Sequence, residues 1–190
     1  MTPPSTTLYY IAYGSNLHPL RLQQRLPGAR ILARIVLPAW QLRFHKRGQD
    51  GSGKCDLWPG QGAAYGALYQ IGVDEGLQLD RIEDGYARQP MTVALAGQRI
   101  SAFTYRASDP FIAPALRPFD WYVELLLAGA EALAFEPTYR TRLATMACMD
   151  DGDGERNRAH RALAAELGAA AGGALRELPW GTAYATSTIS

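Results

Sequence analysis

Cysteine is nearly absent from this chain: Cys55 and Cys148 are its only two, far apart and outside any metal-ligand or redox spacing. Two such thiols build no disulfide framework, which favours a reducing compartment over secretion. Long apolar runs are missing too. Even "VELLLAGAEALAF" is interrupted by Glu124 and Glu131, so no membrane-spanning helix is expected. The opening "MTPPSTT" has no basic segment followed by an apolar one, so no signal peptide is expected either. Nor is there a surplus of charge of one sign: 19 basic and 18 acidic residues leave a formal net charge of +1, with no footprint for nucleic acid or an anionic membrane. These absences predict a soluble, cytoplasmic protein without a nucleic-acid or membrane partner; a small-molecule partner and a monomeric or homodimeric state are separate expectations.

Several catalytic signatures are also lacking. There is no G-x-S-x-G elbow, no G-x-x-x-x-G-K and no G-x-G-x-x-G. His18, His45 and His160 stand alone in sequence, without close acidic or Cys companions, so neither a metal nor a cofactor is expected. The run Asp151-Gly-Asp153-Gly-Glu155 starts like a calcium loop but has Arg156 at the sixth position and Ala162 at the twelfth. It reads better as carboxylates gathered at a helix N-terminus. The one dense basic cluster, "RFHKRGQ" from Arg43 to Gln49, reads as a solvated strand end and turn in preference to a phosphate site.

What is present is the pattern of an α+β domain. Residues 8–13 form a buried strand, and His18-Pro19 opens a short helix that Pro27-Gly28 closes. A β-rich stretch over 29–46 is expected to split near Pro38. Strands follow around 54–58 and 64–71, then a helix capped by Asp74, with Leu79 and Ile82 on one face and Gly85 after its end. "PMTVAL" and "RISAFTYR" form a hairpin joined at Ala96-Gly97-Gln98. Helices are expected over 119–133, 137–148 and 155–169, before a Gly/Ala-rich segment and a polar, mobile tail. With no internal repeat, residues 1–190 read as a single domain, its core at about 8–148 and a helical extension and tail over 149–190.

Two local features could carry chemistry. In Tyr13-Gly14-Ser15-Asn16-Leu17, a turn between a strand and a helix could aim backbone N–H groups at one point, as a nest for a carboxylate or oxyanion. It could equally be an ordinary turn in which Ser15 or Asn16 caps the helix. In "LDRIEDGY", Glu83 falls in the last turn of a helix beside Asp80 and Asp84. The helix dipole, those neighbours and partial burial would all raise its pKa towards that of a general acid–base. A plain surface carboxylate is the alternative.

Taken together and in this order, the chain resembles the γ-glutamylcyclotransferase family. "YYIAYGSNL" is similar to that family's N-terminal signature, and "YGALYQI…LDRIEDGY" to its strand and catalytic-Glu helix. "PFDWYVELLLAGAEALAFEPTY" is similar to the helical segment whose tyrosines line the site. The resemblance implies a small mixed β-barrel with surrounding helices, no cofactor, and release of 5-oxoproline from a γ-glutamyl compound. Glu83 would be the acid–base, the turn residues Tyr13, Gly14, Ser15, Asn16 and Leu17 would bind substrate, and Tyr122 and Tyr139 would line the site. Tyr86 is a further candidate, because Asp84 follows Glu83 directly where the family commonly runs on through Gly to an aromatic. Residues 150–190 find no counterpart; an added helix over one barrel end, a dimer contact and a tail near the site all remain open. The substrate also stays open among γ-glutamyl dipeptides, amines and biosynthetic intermediates. A non-catalytic γ-glutamyl or carboxylate binder, and an amide hydrolase or acyltransferase, are the other functions this pattern allows.

Overall fold

A computed structural model describes residues 7–170 and 173–185. The segment read for a signal peptide lies in residues 1–6, outside the described residues, as do 171–172 in the Gly/Ala-rich segment and 186–190 at the end of the tail. Among the described residues no helix is long and apolar enough to cross a membrane.

Six strands close a mixed barrel, β1(Thr7–Ala12), β2(Arg30–Arg47), β3(Gly53–Gly72), β4(Tyr86–Leu95), β5(Gln98–Ala107) and β6(Trp180–Ala185), in the order β1-β3-β2-β6-β4-β5. Five α-helices accompany them: α1(Pro19–Arg25), α2(Val73–Ile82), α3(Asp120–Ala132), α4(Pro137–Ala144) and α5(Gly154–Ala169). Most neighbours are antiparallel, but β1 runs parallel to β5 and β6 parallel to β2. Alternation along the strands sends Ile11, Ile35, Leu37, Leu57, Leu68 and Val93 into one core. Each such side chain contributes roughly 1.5–3 kcal/mol through burial.

The expected break at Pro38 is a bulge inside one long strand. The register shifts between Pro38 and Trp40, and Ala39 has φ 61°. A bulge absorbs the residue that cannot donate to the ladder, so pairing resumes beyond it. The two strands expected around 54–58 and 64–71 are likewise one, β3, which follows β2 through the bulge. The β4–β5 hairpin forms as expected, on a two-residue turn with positive φ at Ala96 and Gly97. The stretch expected to be tail contains β6, which fills the last gap between β2 and β4.

α2 begins two residues earlier than a cap at Asp74 would place it. Gly72 is its N-cap, and Glu75 accepts hydrogen bonds from the N–H groups of Gly72 (2.9 Å) and Gly28 (2.6 Å). α4 stops at Ala144, short of the expected 148. α3 is apolar on nearly every side because it lies between the barrel and α5. The acidic run settles at the start of α5, where Asp153 caps the helix through Glu155 N–H and Arg156 N–H. Asp151 accepts from Trp121 Nε1 at 2.8 Å and from Arg156, tying α5 to α3.

Candidate active site

β1 ends at Ala12, and the chain turns at once: Leu17 N–H donates to Gly14 C=O (2.9 Å), and the Tyr69 hydroxyl donates to Leu17 C=O (2.8 Å). α1 starts only at Pro19 and is capped by His18, whose Nδ1 accepts from Leu20 N–H at 3.2 Å. Neither Ser15 nor Asn16 is therefore the cap, and the helix N-terminus lies beyond the turn instead of inside it. The Leu17 amide is committed within the turn, which removes it from any nest. The N–H groups of Ser15 and Asn16 make no hydrogen bond among the described residues. At Gly14 a Cβ would stand 3.3 Å from Cys55 Cβ and 3.5 Å from the Tyr122 hydroxyl, so glycine keeps that space open.

Asn16 is 2% exposed and joins three elements. Its Nδ2 donates to Glu83 Oε1 at 2.8 Å, and its Oδ1 accepts from Arg25 Nη1 at 2.8 Å. The two partners fix the amide orientation, since the donor end must face the carboxylate and the acceptor end the guanidinium.

Glu83 is the C-cap of α2. The chain leaves through Gly85, whose φ of +76° is left-handed and where a Cβ would lie 2.6 Å from the Phe111 ring. Burial raises the Glu83 pKa; Arg25, Lys46, the Asn16 hydrogen bond and Arg21 pull it back. The direction agrees with the sequence expectation, but the cause is burial. Asp80 is occupied with Arg88 (2.8 Å) and the Tyr105 hydroxyl (2.5 Å). Ile82, expected on the buried face, is 38% exposed. What covers Glu83 is the turn after β1 together with α1, not the apolar face of its own helix.

Two connected spaces meet at this carboxylate. A small inner pocket of about 30 Å³ is lined by Tyr10, Tyr13, Gly14, Asn16, Cys55 and Tyr105. A larger outer cavity of about 440 Å³ opens beyond it. Ser15, Glu83, Tyr86 and Tyr122 line both. Tyr86 donates its hydroxyl to Cys55 C=O at 2.6 Å, whereas the Tyr122 hydroxyl accepts from Cys55 N–H at 3.3 Å and also interacts with the Cys55 thiol. Tyr13 donates to Tyr105 C=O at 2.7 Å. Burial raises the pKa of Tyr10, Tyr13, Tyr86 and Tyr122, so these phenols stay protonated. Burial also pushes up the Cys55 thiol, which leaves no thiolate nucleophile at neutral pH.

Not every candidate arrives here. Tyr139 lines neither space; it packs against Tyr65 (ring centroids 4.6 Å apart) and Phe135 (5.9 Å). Leu17 is a buried core residue. Conversely, the outer cavity holds residues that sequence reasoning passed over: Arg21, Arg25, Lys46 and Lys54, with Trp121 and His160 stacked at 4.0 Å between ring centroids. His160 comes from α5, so the extension does reach the cavity. Lys46 belongs to the cluster read as solvated, yet it is 5% exposed, beneath the Tyr86 and Phe111 rings. The available signal was the i, i+4 spacing of Arg21 and Arg25 on the helix just after the turn. His45, alone in sequence, pairs across strands with Asp56 at 2.8 Å. Among the described residues no three His, Cys, Asp or Glu side chains gather in a metal-holding group.

The sequence matches the family described as gamma-glutamyl cyclotransferase, AIG2-like, over residues 10–121, more than half of the chain. The chain belongs to this family. A solved structure named gamma-glutamyl cyclotransferase superposes with a TM-score of 0.70 at 20% identity, covering 82% of this chain and 99% of the other. An uncharacterized human protein, loc79017, also gives 0.70 at 20% identity, over 83% and 99%. YkqA from Bacillus subtilis gives 0.64 at 20% identity, over 76% of this chain and 57% of its own. At these identities the neighbours establish the shared barrel fold. No curated protein sequence matches the chain.

Proposed function

We propose that this member of the gamma-glutamyl cyclotransferase family releases 5-oxoproline from a γ-glutamyl compound, with Glu83 as its general acid–base. The observation that carries this is one carboxylate, pKa raised by burial, held by Asn16 and lying on the floor of a substrate-sized cavity. The substrate brings its own nucleophile: its α-amine attacks its γ-carbonyl, a C–N bond closes a five-membered lactam, and the former amide nitrogen leaves as an amine. Holding the chain folded back is a large part of such catalysis, since well-oriented intramolecular reactions proceed with effective molarities of about 10⁵–10⁸ M.

What remains is two protons and one developing charge. Glu83, ionised, takes one proton from the α-ammonium so that the free amine can attack, and returns it to the departing nitrogen. The ring nitrogen then sheds its surplus proton by the same carboxylate to the expelled amine, which leaves as an ammonium, and Glu83 ends as it began. The amides of Ser15 and Asn16, which make no hydrogen bond among the described residues, are the donors for the tetrahedral oxyanion, with the Tyr122 hydroxyl beside them. The inner pocket is too small for a glutamyl group, so it receives at most the reacting end while the body of the substrate occupies the outer cavity.

The test is a panel of γ-glutamyl amines and amino acids, with products identified by mass. Lactam and free amine are expected; free glutamate would mean hydrolysis, and binding without turnover across the panel would mean a binding module. Glu83→Gln is expected to lower release by about 10²–10⁴-fold with the fold unchanged. Normal turnover by that variant would overturn the mechanism.

A further inference from the structure

The outer cavity carries a charge that the cyclisation chemistry does not use. Five cations line it: Arg21, Arg25, Lys46, Lys54 and Arg81. Three carboxylates face them, Asp50, Glu83 and Asp84, which leaves a surplus of two positive charges, or three while Glu83 holds a proton. His160 adds none at neutral pH, because burial, Arg21 and Lys54 hold its pKa below the ordinary histidine value. Arg81 and Asp84 are both exposed and offset one another, so the surplus resides in the deeper groups.

Those deeper groups are poorly compensated from within. Lys54 has a partner, Asp50, at 2.6 Å. Arg25 hydrogen-bonds only the neutral Asn16 side chain. Lys46 is 5% exposed with no ion pair among the described residues; aromatic faces cover it. Arg21 is 7% exposed and makes no side-chain hydrogen bond or ion pair among them, with its Nε buried unpartnered. Burial lowers its pKa to about 10, so it remains a cation at neutral pH. Glu83 is the carboxylate that Arg21, Arg25 and Lys46 share, without an ion pair to any of them; buried cations so thinly compensated are costly, and a ligand anion is the ordinary remedy.

A γ-glutamyl group cannot supply that anion in net terms. Its α-carboxylate and α-ammonium cancel, and its γ-carboxyl is already an amide, so the surplus is left for whatever is attached to that amide. Resting on the cyclisation reading above, we infer that this site takes γ-glutamyl conjugates whose amine half is a dianion, a phosphomonoester or a dicarboxylate. Arg21 and Lys46 are its specificity-determining residues, and the Trp121–His160 stack walls the same cavity.

The experiment compares kcat/KM for γ-glutamylethylamine, γ-glutamylglycine, γ-glutamylaspartate and γ-glutamylphosphoethanolamine, whose amine halves carry about zero, one, two and two negative charges near neutral pH. The dianions should exceed the neutral conjugate by about 10–100-fold, as charge-assisted contacts of this kind allow. Which dianion leads identifies phosphate or dicarboxylate as the source. A flat or falling series overturns the inference while leaving cyclisation intact. Arg21→Met and, separately, Lys46→Met should collapse the dianion-to-neutral ratio towards one; an unchanged ratio in both would also overturn it. If no conjugate yields 5-oxoproline, the cyclisation reading fails by itself. Calorimetric titration with ethyl phosphate and succinate, against ethanol, then tests the cavity. Saturable binding of either anion that is lost in Arg21→Met supports an anion site, and no binding of either overturns it.

Discussion

Around the inner pocket the polar groups are phenols, amides and a thiol, most of them engaged with one another; around the outer cavity guanidinium and ammonium groups predominate, and Arg21 among them has no side-chain hydrogen bond or ion pair among the described residues. Glu83 stands on the boundary. On one side the hydrogen bonds fix geometry, and burial keeps the phenols protonated. On the other the charges are left open, which costs stability and creates demand for a ligand. A reaction needing one well-placed proton carrier and one recognised leaving group suits such a division. In the proposed reaction, precision would lie where bonds change, and surplus charge where the variable part of the substrate sits.

The strongest way to break this contrast is at the boundary itself. Glu83→Gln should remove activity by the factor given above and yet make the folded chain more stable at neutral pH. Below the ordinary glutamate range both folded and unfolded chains carry Glu83 protonated. Between that range and its raised folded value, the folded chain keeps a proton that the unfolded chain has lost, so stability falls as pH rises; above it the full penalty applies. Thermal unfolding of both proteins across pH should therefore diverge as pH rises through this window, and parallel curves would contradict burial as the cause.

A smaller effect is expected at Asn16. Its hydrogen bond lowers the Glu83 pKa, so Asn16→Ala should cut kcat/KM by about 10–100-fold and move the acid limb of the pH–rate profile upward. A rate loss with an unmoved acid limb would make Asn16 a purely structural bracket. Next comes the outer cavity: Arg21→Met removes a buried, unpaired cation and should stabilise the protein by about 1 kcal/mol in denaturant titrations. The smallest effect sharpens the contrast from outside the site. Glu75, at the other end of α2 from Glu83, spends both oxygens on backbone amides, and Glu75→Ala should cost about 1 kcal/mol of stability with catalysis untouched.

What could be read in advance follows from how local each signal is. The Gly14–Asn16 turn, the helix ending near Glu83 and the Ala96–Gly97 hairpin are decided within a few residues, and the structure forms all three. β6 was missed because "WGTAYA" has little strand character of its own; it is a strand by virtue of two partners, β2 and β4, far away in sequence. The burial of Lys46, and the elements that cover Glu83, were illegible for the same reason. Ile82 beside Glu83 is exposed, so helix periodicity pointed to the wrong cover, and the bulge between Arg43 and Lys46 breaks the alternation that would have aimed Lys46. Tyr86 and Tyr139 show both outcomes of one ambiguity: each is a tyrosine in an aromatic setting, and only tertiary packing delivers one to the cavity and the other into the cluster with Tyr65 and Phe135.

The position of β6 has a consequence for biosynthesis. Its register partners Arg34, Ile35 and Val36 leave the ribosome some 145 residues before Trp180, Gly181 and Thr182 do. Until then β2 and β4 are open edges of a five-stranded curl, each able to template pairing with another nascent chain. The barrel is thus a ring whose clasp is synthesised after its other five strands, and premature termination before Trp180 should produce aggregation-prone fragments in place of a smaller closed barrel.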